Sequence, residues 1–366
     1  MDSAETPHRP PRTVVVTGVS GTWGRRVAAQ LLERPGVRVL GIDRRAGERP
    51  PAGLDFVKAD VRNPLLVELL RVEQADTVIH LAFRERQWRR EPDFDSNVLG
   101  TMELLGACAE AGVRHVVLKS SMAVYGARPD NAEYVPEDWP LAAHARYGYV
   151  RDAVEIEQFR PQFQAEYPEM QIAVLRFGHI VGADVDTPFT RLLRLPVMPQ
   201  LLGFDPLLQV IDAEDVAAAL VHAAQHPAGG AFNVAADGVL PLWQVAGLVG
   251  SVPVPVFHLL LEWGWFALAG TPLGRRALSW FPLEPDYLRF PCTGDLTRMR
   301  ETLGFEPRWN AREALDRYVA AARVHRYQDP EEARRYAADR LDEIVQARLA
   351  AWQSQGGPEA GEPDHA

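Results

Sequence analysis

The stretch VVVTGVSGTWGRRVAAQLL, residues 14–32, does most to limit what this chain can fold into. A β-branched run of strand length meets three glycines, Gly18, Gly21 and Gly24, and then an amphipathic helix pattern. In a strand–turn–helix unit the first glycine permits the tight turn and the second lets backbone amides approach a pyrophosphate. The third lets the helix pack closely, and the phosphate rests on the helix N-terminus. Gly18, Ser20, Gly21, Thr22, Trp23 and Gly24 are therefore candidate cofactor contacts. A glycine pattern alone is weak evidence, but Asp43 ends the next apolar run, VLGID. A carboxylate there binds adenosine ribose hydroxyls and repels a 2′-phosphate, so NAD is expected over NADP. Arg44 and Arg45, which follow directly, are the features that oppose this preference.

The rest of the first half keeps the same alternation: RVLGI, DFVKA, TVIHLA and HVVLKSS are strand-like, with helical stretches between them. Strands alternating with helices imply crossovers and a parallel sheet. The fold class expected is α/β, a Rossmann-like doubly wound sheet with a smaller C-terminal substrate-binding lobe. The expected divisions are a disordered tail over 1–12 and a cofactor-binding domain over 13–187, its sheet completed by segments near 208–236. A lobe over 188–325, a helix over 326–352 and a disordered tail over 353–366 follow.

Bulk properties limit the partners. The net charge of −10, with 39 basic residues scattered along 366, argues against nucleic acid or an anionic membrane. A small-molecule substrate is expected, and a homodimer is left open. Cys108 and Cys292 form neither a disulfide framework nor a metal-ligand spacing, so no metal is expected and a cytoplasmic location fits. The N-terminus shows no apolar signal region. The most apolar stretch, residues 252–270, is broken by Pro253, Pro255, His258 and Glu262, and reads as a core or lid helix rather than a membrane span.

Beyond TGVSGTWG, the chain carries ADVRN, HLAF, NVLGT, SSMAVYG, PEDWP, LRFGHIVG, DAEDVAAAL and LGFEPRW in that order. With these segments it resembles the extended short-chain dehydrogenase/reductase family, in particular its NAD-dependent epimerase/dehydratase branch. The resemblance implies further cofactor contacts at Asp60, Val61, Leu81, Ala82, Phe83, Asn97 and Phe177, alongside Asp43 and Arg44. It implies a substrate surface at Ser121, Met122 and His179.

It also implies a catalytic trio in which a serine holds a substrate oxygen, a tyrosinate takes its proton and a lysine lowers the tyrosine pKa. Ser121 matches the serine, and Tyr147 the tyrosine in YGYVRDAVE. Four residues on stands Arg151 instead of lysine, keeping the charge but unable to relay a proton. Glu155, four further, supports that register, whereas Tyr149 is followed at the same spacing by Ala153. Tyr147 and Arg151 are thus expected to act in catalysis and on the cofactor ribose.

Two departures concern the substrate. His179 replaces the family's asparagine, and Leu208 stands where an arginine often meets a nucleotide diphosphate. If a diphosphate binds, Arg191 or Arg289 would have to hold it. Trp243, Trp263, Trp265, Phe266, Trp280 and Phe281 are read as core or as lining for an apolar substrate. The expected activity is that of an NAD-dependent oxidoreductase or epimerase acting on a hydroxyl or keto group of a sugar-like or other small substrate. The alternatives are a hydroxysteroid-like dehydrogenase and a non-catalytic NAD(P)-binding sensor or scaffold.

Overall fold

Strand-forming runs in the first half are apolar on both sides, as strands covered by helices on both faces must be. In the computed structural model, residues 12–47, 50–85, 91–142, 148–257, 285–327 and 345 are described. The chain divides into a unit from Met1 to Arg317 and a second from Tyr318 to Ala366.

The elements run β1 (Arg12–Thr17), α1 (Thr22–Leu32), β2 (Val37–Asp43), β3 (Asp55–Lys58), α2 (Leu66–Val72) and β4 (Ala75–His80). After α3 (Glu91–Phe94) and a π-helical turn at Asp95–Leu99 come α4 (Gly100–Ala111) and β5 (His115–Ser121). A 3-10 turn at Met122–Tyr125 leads toward α5 (Gly148–Glu166) and β6 (Gln171–Phe177). The second half contains β7 (His179–Val181), α6 (Pro188–Leu193), β8 (Val197–Leu201), β9 (Leu207–Leu208) and β10 (Val210–Asp212). It continues with α7 (Ala213–Gln225), β11 (Gly230–Val234), β12 (Leu240–Pro241), α8 (Leu242–Val249), β13 (Val252–Val256) and α9 (Ala311–Tyr327).

Seven strands form the parallel central sheet in the order β11-β6-β5-β4-β1-β2-β3. Alternate side chains feed two cores. Val14, Val16, Val117 and Phe232 pack with Val27 and Leu31 of α1 and Val216 and Leu220 of α7. Val15, Leu40, Val116 and Leu118 pack on the other face with Leu70 of α2, Leu104 of α4 and Ile156 of α5. Strand order reverses between β1 and β4, which opens a crevice beyond their C-terminal ends.

The smaller elements pair as β7 with β10, β8 with β13 and β9 with β12. Local chemistry sets their ends. Asp212 caps α7 by accepting from Glu214 N, and Thr187 with Thr190 forms a capping box at α6.

Several expectations meet these elements directly. Arg12, assigned to the tail, is already strand, its amide donating to Gly36 O at 2.8 Å. The first part of the apolar stretch is the strand β13, because the alternating prolines of VPVPV exclude a helix. The remainder of it from residue 258, including Trp263, Trp265, Phe266, Trp280 and Phe281, lies outside the described residues. The same is true of most of the expected helix over 326–352 and of the two tails. Trp243 is exposed at the start of α8. No described helix is long and apolar enough to cross a membrane.

Candidate active site

The glycine turn sits at the strand reversal. Gly18 has φ +68°, and a Cβ there would come within 2.6 Å of the Leu81 and Ala82 backbone at the end of β4. A Cβ on Gly24 would fall 2.3 Å from Gly18 O, so α1 can approach the turn only without a side chain. At the N-terminus of α1, Gly21 provides no side-chain cap and the first turn holds no acidic residue, which leaves the amides around Thr22 and Trp23 suited to an anion. Asp43 ends β2 and accepts from Ser20 N at 3.1 Å and Arg45 N at 3.3 Å, fixing the carboxylate beside the turn. These features fit a dinucleotide whose pyrophosphate lies on α1 and whose adenosine ribose lies by Asp43.

Other expected cofactor residues surround this crevice in different ways. Asp60 is held by Arg62 through bonds of 3.0 to 3.1 Å, with Arg44 at 3.6 Å. The Arg62 hydrogen bonds lower the Asp60 pKa to about 2. Arg44 therefore faces a carboxylate of its own chain. Val61 is half-buried beside Gly100. Leu81 N donates to Thr17 O at 3.2 Å, Ala82 N approaches Thr17 Oγ1 at 3.4 Å, and Phe83 reaches the cleft described next.

Asn97 is fully buried. It accepts from Arg84 N at 2.8 Å and donates to Arg84 O at 3.1 Å and Asp152 Oδ2 at 2.9 Å. Its amide thereby holds the loop after β4 against α5. Neighbouring His80 bridges Thr17 and Thr101 at 2.7 and 3.0 Å, and burial pushes its pKa down to about 4.

Beyond the nicotinamide end of the crevice, a mostly apolar cleft opens between the β5 and β6 ends, α5, β7 and α6. Ser121 stands at its edge as N-cap of the 3-10 turn, accepting from Ala123 N at 3.2 Å. Met122 and Phe177, both buried, line it, as does His179. The His179 ring stacks on Phe189 with centroids 4.5 Å apart, and burial lowers its pKa to about 4, leaving a neutral imidazole at neutral pH.

Tyr147 lies outside the described residues. Tyr149 and Ala153, one turn apart, both line the cleft, and Glu157, a further turn on, lines the smaller cavity behind it. Arg151 is two residues from Tyr149, roughly 200° around the helix. It is absent from the described lining of the cleft. Its guanidinium donates to Asp152 Oδ1 at 2.7 Å and lies 4.5 Å from the Phe94 ring centroid. Glu155 is exposed, whereas Glu157 is buried, accepting from Ser120 Oγ at 2.6 Å and Arg176 Nε at 2.7 Å. Among the described residues of α5, Tyr149, Ala153 and Glu157 share one inward stripe.

The pocket also includes residues that motif reasoning passed over: Lys119, Glu85, Tyr287 and Cys292. The only available signal was for Lys119, a charge inside the apolar run HVVLKSS. On the substrate side, Leu208 is buried in β9, Arg191 is paired with Asp186 at 2.6 Å, and Arg289 lies over Phe204 and Phe290.

Comparison with known proteins agrees with the crevice and its glycine turn. The NAD dependent epimerase/dehydratase family matches residues 14–235. The chain belongs to this family. An uncharacterized protein of Mycobacterium tuberculosis is 33% identical over 336 residues, covering 88% of each chain. UDP-glucose 4-epimerase 3 of Oryza sativa subsp. japonica is 31% identical over 190 residues, 47% of this chain and 50% of its own. In fold, the chain is similar to UDP-glucose 4-epimerase of Thermotoga maritima, solved with UDP-glucose (TM-score 0.66, 20% identity), covering 86% of this chain and 99% of that one. It is likewise similar to MoeE5 in complex with UDP-glucuronic acid and NAD (TM-score 0.64, 24% identity, 86% and 99% covered). The epimerase/dehydratase sheet and its reversal point are the parts of this chain that carry Gly18, Asp43 and Ser121.

Proposed function

We propose that this epimerase/dehydratase family member binds NAD and moves a hydride and a proton to or from a hydroxyl or keto carbon of a sugar-like substrate. The observations that carry the reading are the glycine turn with Asp43 at the strand reversal and the apolar cleft that holds Ser121, Tyr149 and His179. The amides of α1 would hold the pyrophosphate, and Asp43 the adenosine ribose. The lobe built from α6, β8, β9, β12, α8 and β13 would cover the substrate.

NAD, when bound, would supply the hydride acceptor. Ser121 Oγ would donate to the substrate oxygen, and Tyr147, the tyrosine that the family motif places four residues before Arg151, would take the proton from that hydroxyl as the carbonyl forms. Running the same proton and hydride movements back on the opposite face gives epimerisation; keeping the carbonyl permits elimination or net oxidation. His179, neutral and stacked on Phe189, bounds the substrate side. The pocket excludes water through Phe177, Phe189 and Met122.

Relatives named as UDP-glucose 4-epimerases favour a nucleotide-sugar. The apolar lining and buried Leu208 favour a second reading, a hydrophobic alcohol or ketone. Absorbance at 340 nm after mixing the NAD-loaded protein with nucleotide-sugars or with hydrophobic alcohols separates the two. Reduction of NAD by a nucleotide-sugar supports the first, and reduction only by an apolar alcohol replaces it with the second.

A further inference from the structure

Asp43 is followed by Arg44 and Arg45, and the two residue types pull cofactor choice in opposite directions. A carboxylate at the end of the second strand binds the ribose hydroxyls of NAD, whereas an arginine beside it accommodates the 2′-phosphate of NADP. Which tendency prevails depends on what already engages the arginines.

The two are held differently. Arg45 is fixed through its backbone: its amide donates to Asp43 Oδ1 at 3.3 Å and its carbonyl accepts from Ser20 Oγ at 2.6 Å, which pins the chain after β2 to the glycine turn. Arg44 is held through its side chain, with Nη1 3.6 Å from Asp60 Oδ2. Asp60 lies just past β3, which pairs with β2 in a register that sets Asp43 beside Lys58, and Ala59 N donates to Asp43 O at 3.0 Å. The two acids therefore leave neighbouring strands side by side. Asp60 is itself fixed, because its Oδ1 accepts from Arg62 N at 3.0 Å and Nε at 3.1 Å, and its Oδ2 from Arg62 Nη2 at 3.0 Å. Those bonds lower its pKa to about 2, so the carboxylate facing Arg44 is charged at any pH the fold meets.

We propose that Asp60 is a second determinant of cofactor choice: by pairing with Arg44 at the end of β3 it withholds from a 2′-phosphate at Asp43 the arginine suited to accept one. Asp60 acts through Arg44 and is a positioning residue, and Arg62 orients it. The inference rests on the proposed function only in placing the adenosine ribose of NAD by Asp43. It takes nothing from the substrate or from hydride transfer.

The test is calorimetric titration of NAD+ and NADP+ into wild type, Asp60→Asn, Arg44→Met and the double variant, read as the ratio of the two affinities so that a general loosening of the adenosine site cancels. Asparagine keeps an oxygen for the Arg62 amide. Since Arg44 and Asp60 are both partly exposed, their hold is modest, and Asp60→Asn should shift the ratio toward NADP+ by about three- to tenfold. Arg44→Met alone should move it by less than about twofold, because the arginine is already engaged, and combined with Asp60→Asn it should remove the shift. Arg45→Met combined with Asp60→Asn should leave the shift in place. An unmoved ratio in Asp60→Asn overturns the inference. So does a shift that survives Arg44→Met, which would mean that Asp60 acts by its own charge alone. If NAD+ binds but no substrate reduces it, the functional reading falls while the ratios still decide the place of Asp60. If neither nucleotide binds wild type, both fall.

Discussion

Arg151 and Asp152, neighbours in sequence, form an ion pair at 2.7 Å on the side of α5 that faces Phe94 and Asn97. The side chains are 13% and 2% exposed, so the pair is shielded from solvent and anchors the helix start. Replacing the arginine by methionine would leave the buried carboxylate with Asn97 as its remaining side-chain donor in this network. Arg151→Met is expected to lower unfolding free energy by about 2 kcal/mol, read from urea denaturation.

Glu157 and Arg176 make a second, deeper pair at 2.6 Å, with side chains 2% and 5% exposed. Arg176 also donates to Tyr125 Oη at 2.6 Å and Glu137 O at 2.8 Å, and Ser120 Oγ donates to Glu157. This network fixes the end of β5 and the turn that presents Ser121. Glu157→Ala should cost about 3–5 kcal/mol by leaving the guanidinium buried without its carboxylate. Calorimetric unfolding measures the loss.

Acid should destabilise the fold through its buried histidines. The folded pKa values of His80 and His115, both buried, are lowered to about 4, below the unfolded value near 6.5. The unfolded chain therefore binds protons first as pH falls. The stability from each neutral histidine is fully present above pH 6.5 and is lost as pH drops toward 4. At pH 5 the loss is about 2 kcal/mol for a fully buried imidazole. Unfolding curves between pH 7 and pH 5 should show this slope, and His80→Asn should reduce it by roughly one histidine's share.

Asp43 governs cofactor choice in this account. With its carboxylate fixed by Ser20 N and Arg45 N, a 2′-phosphate would meet like charge. Calorimetry should find NAD(H) bound more tightly than NADP(H), and Asp43→Ala should narrow the ratio by about tenfold, equivalent to about 1.4 kcal/mol.

The cofactor half was legible because its signal is local. Gly18, Gly24 and Asp43 are each demanded by one turn of backbone, and spacing within the stretch is enough to place them. The acid/base half was less legible because it depends on which face of α5 turns inward. Tyr147 and Tyr149 differ by two residues, and only the burial of Ala153, Ile156 and Glu157 reveals the inward stripe. That Arg151 meets Asp152, and Asn97 meets Arg84 and Asp152, is set by the packing of α5 against the loop after β4, which spacing does not record. Lys119 was visible as a charge in HVVLKSS, yet its burial depends on Trp23 and Glu85 arriving from two other elements.

The measurement that bears most directly on the central claim is stopped-flow absorbance at 340 nm after mixing NAD-loaded protein with the nucleotide-sugar panel, wild type against Tyr147→Phe. The account predicts a rise in reduced nicotinamide for wild type with at least one sugar, and a rate at least a hundredfold lower, about 2.7 kcal/mol of barrier, when the phenol is removed. An equal rate in Tyr147→Phe, or NAD that binds wild type yet is reduced by no member of the panel, would contradict it.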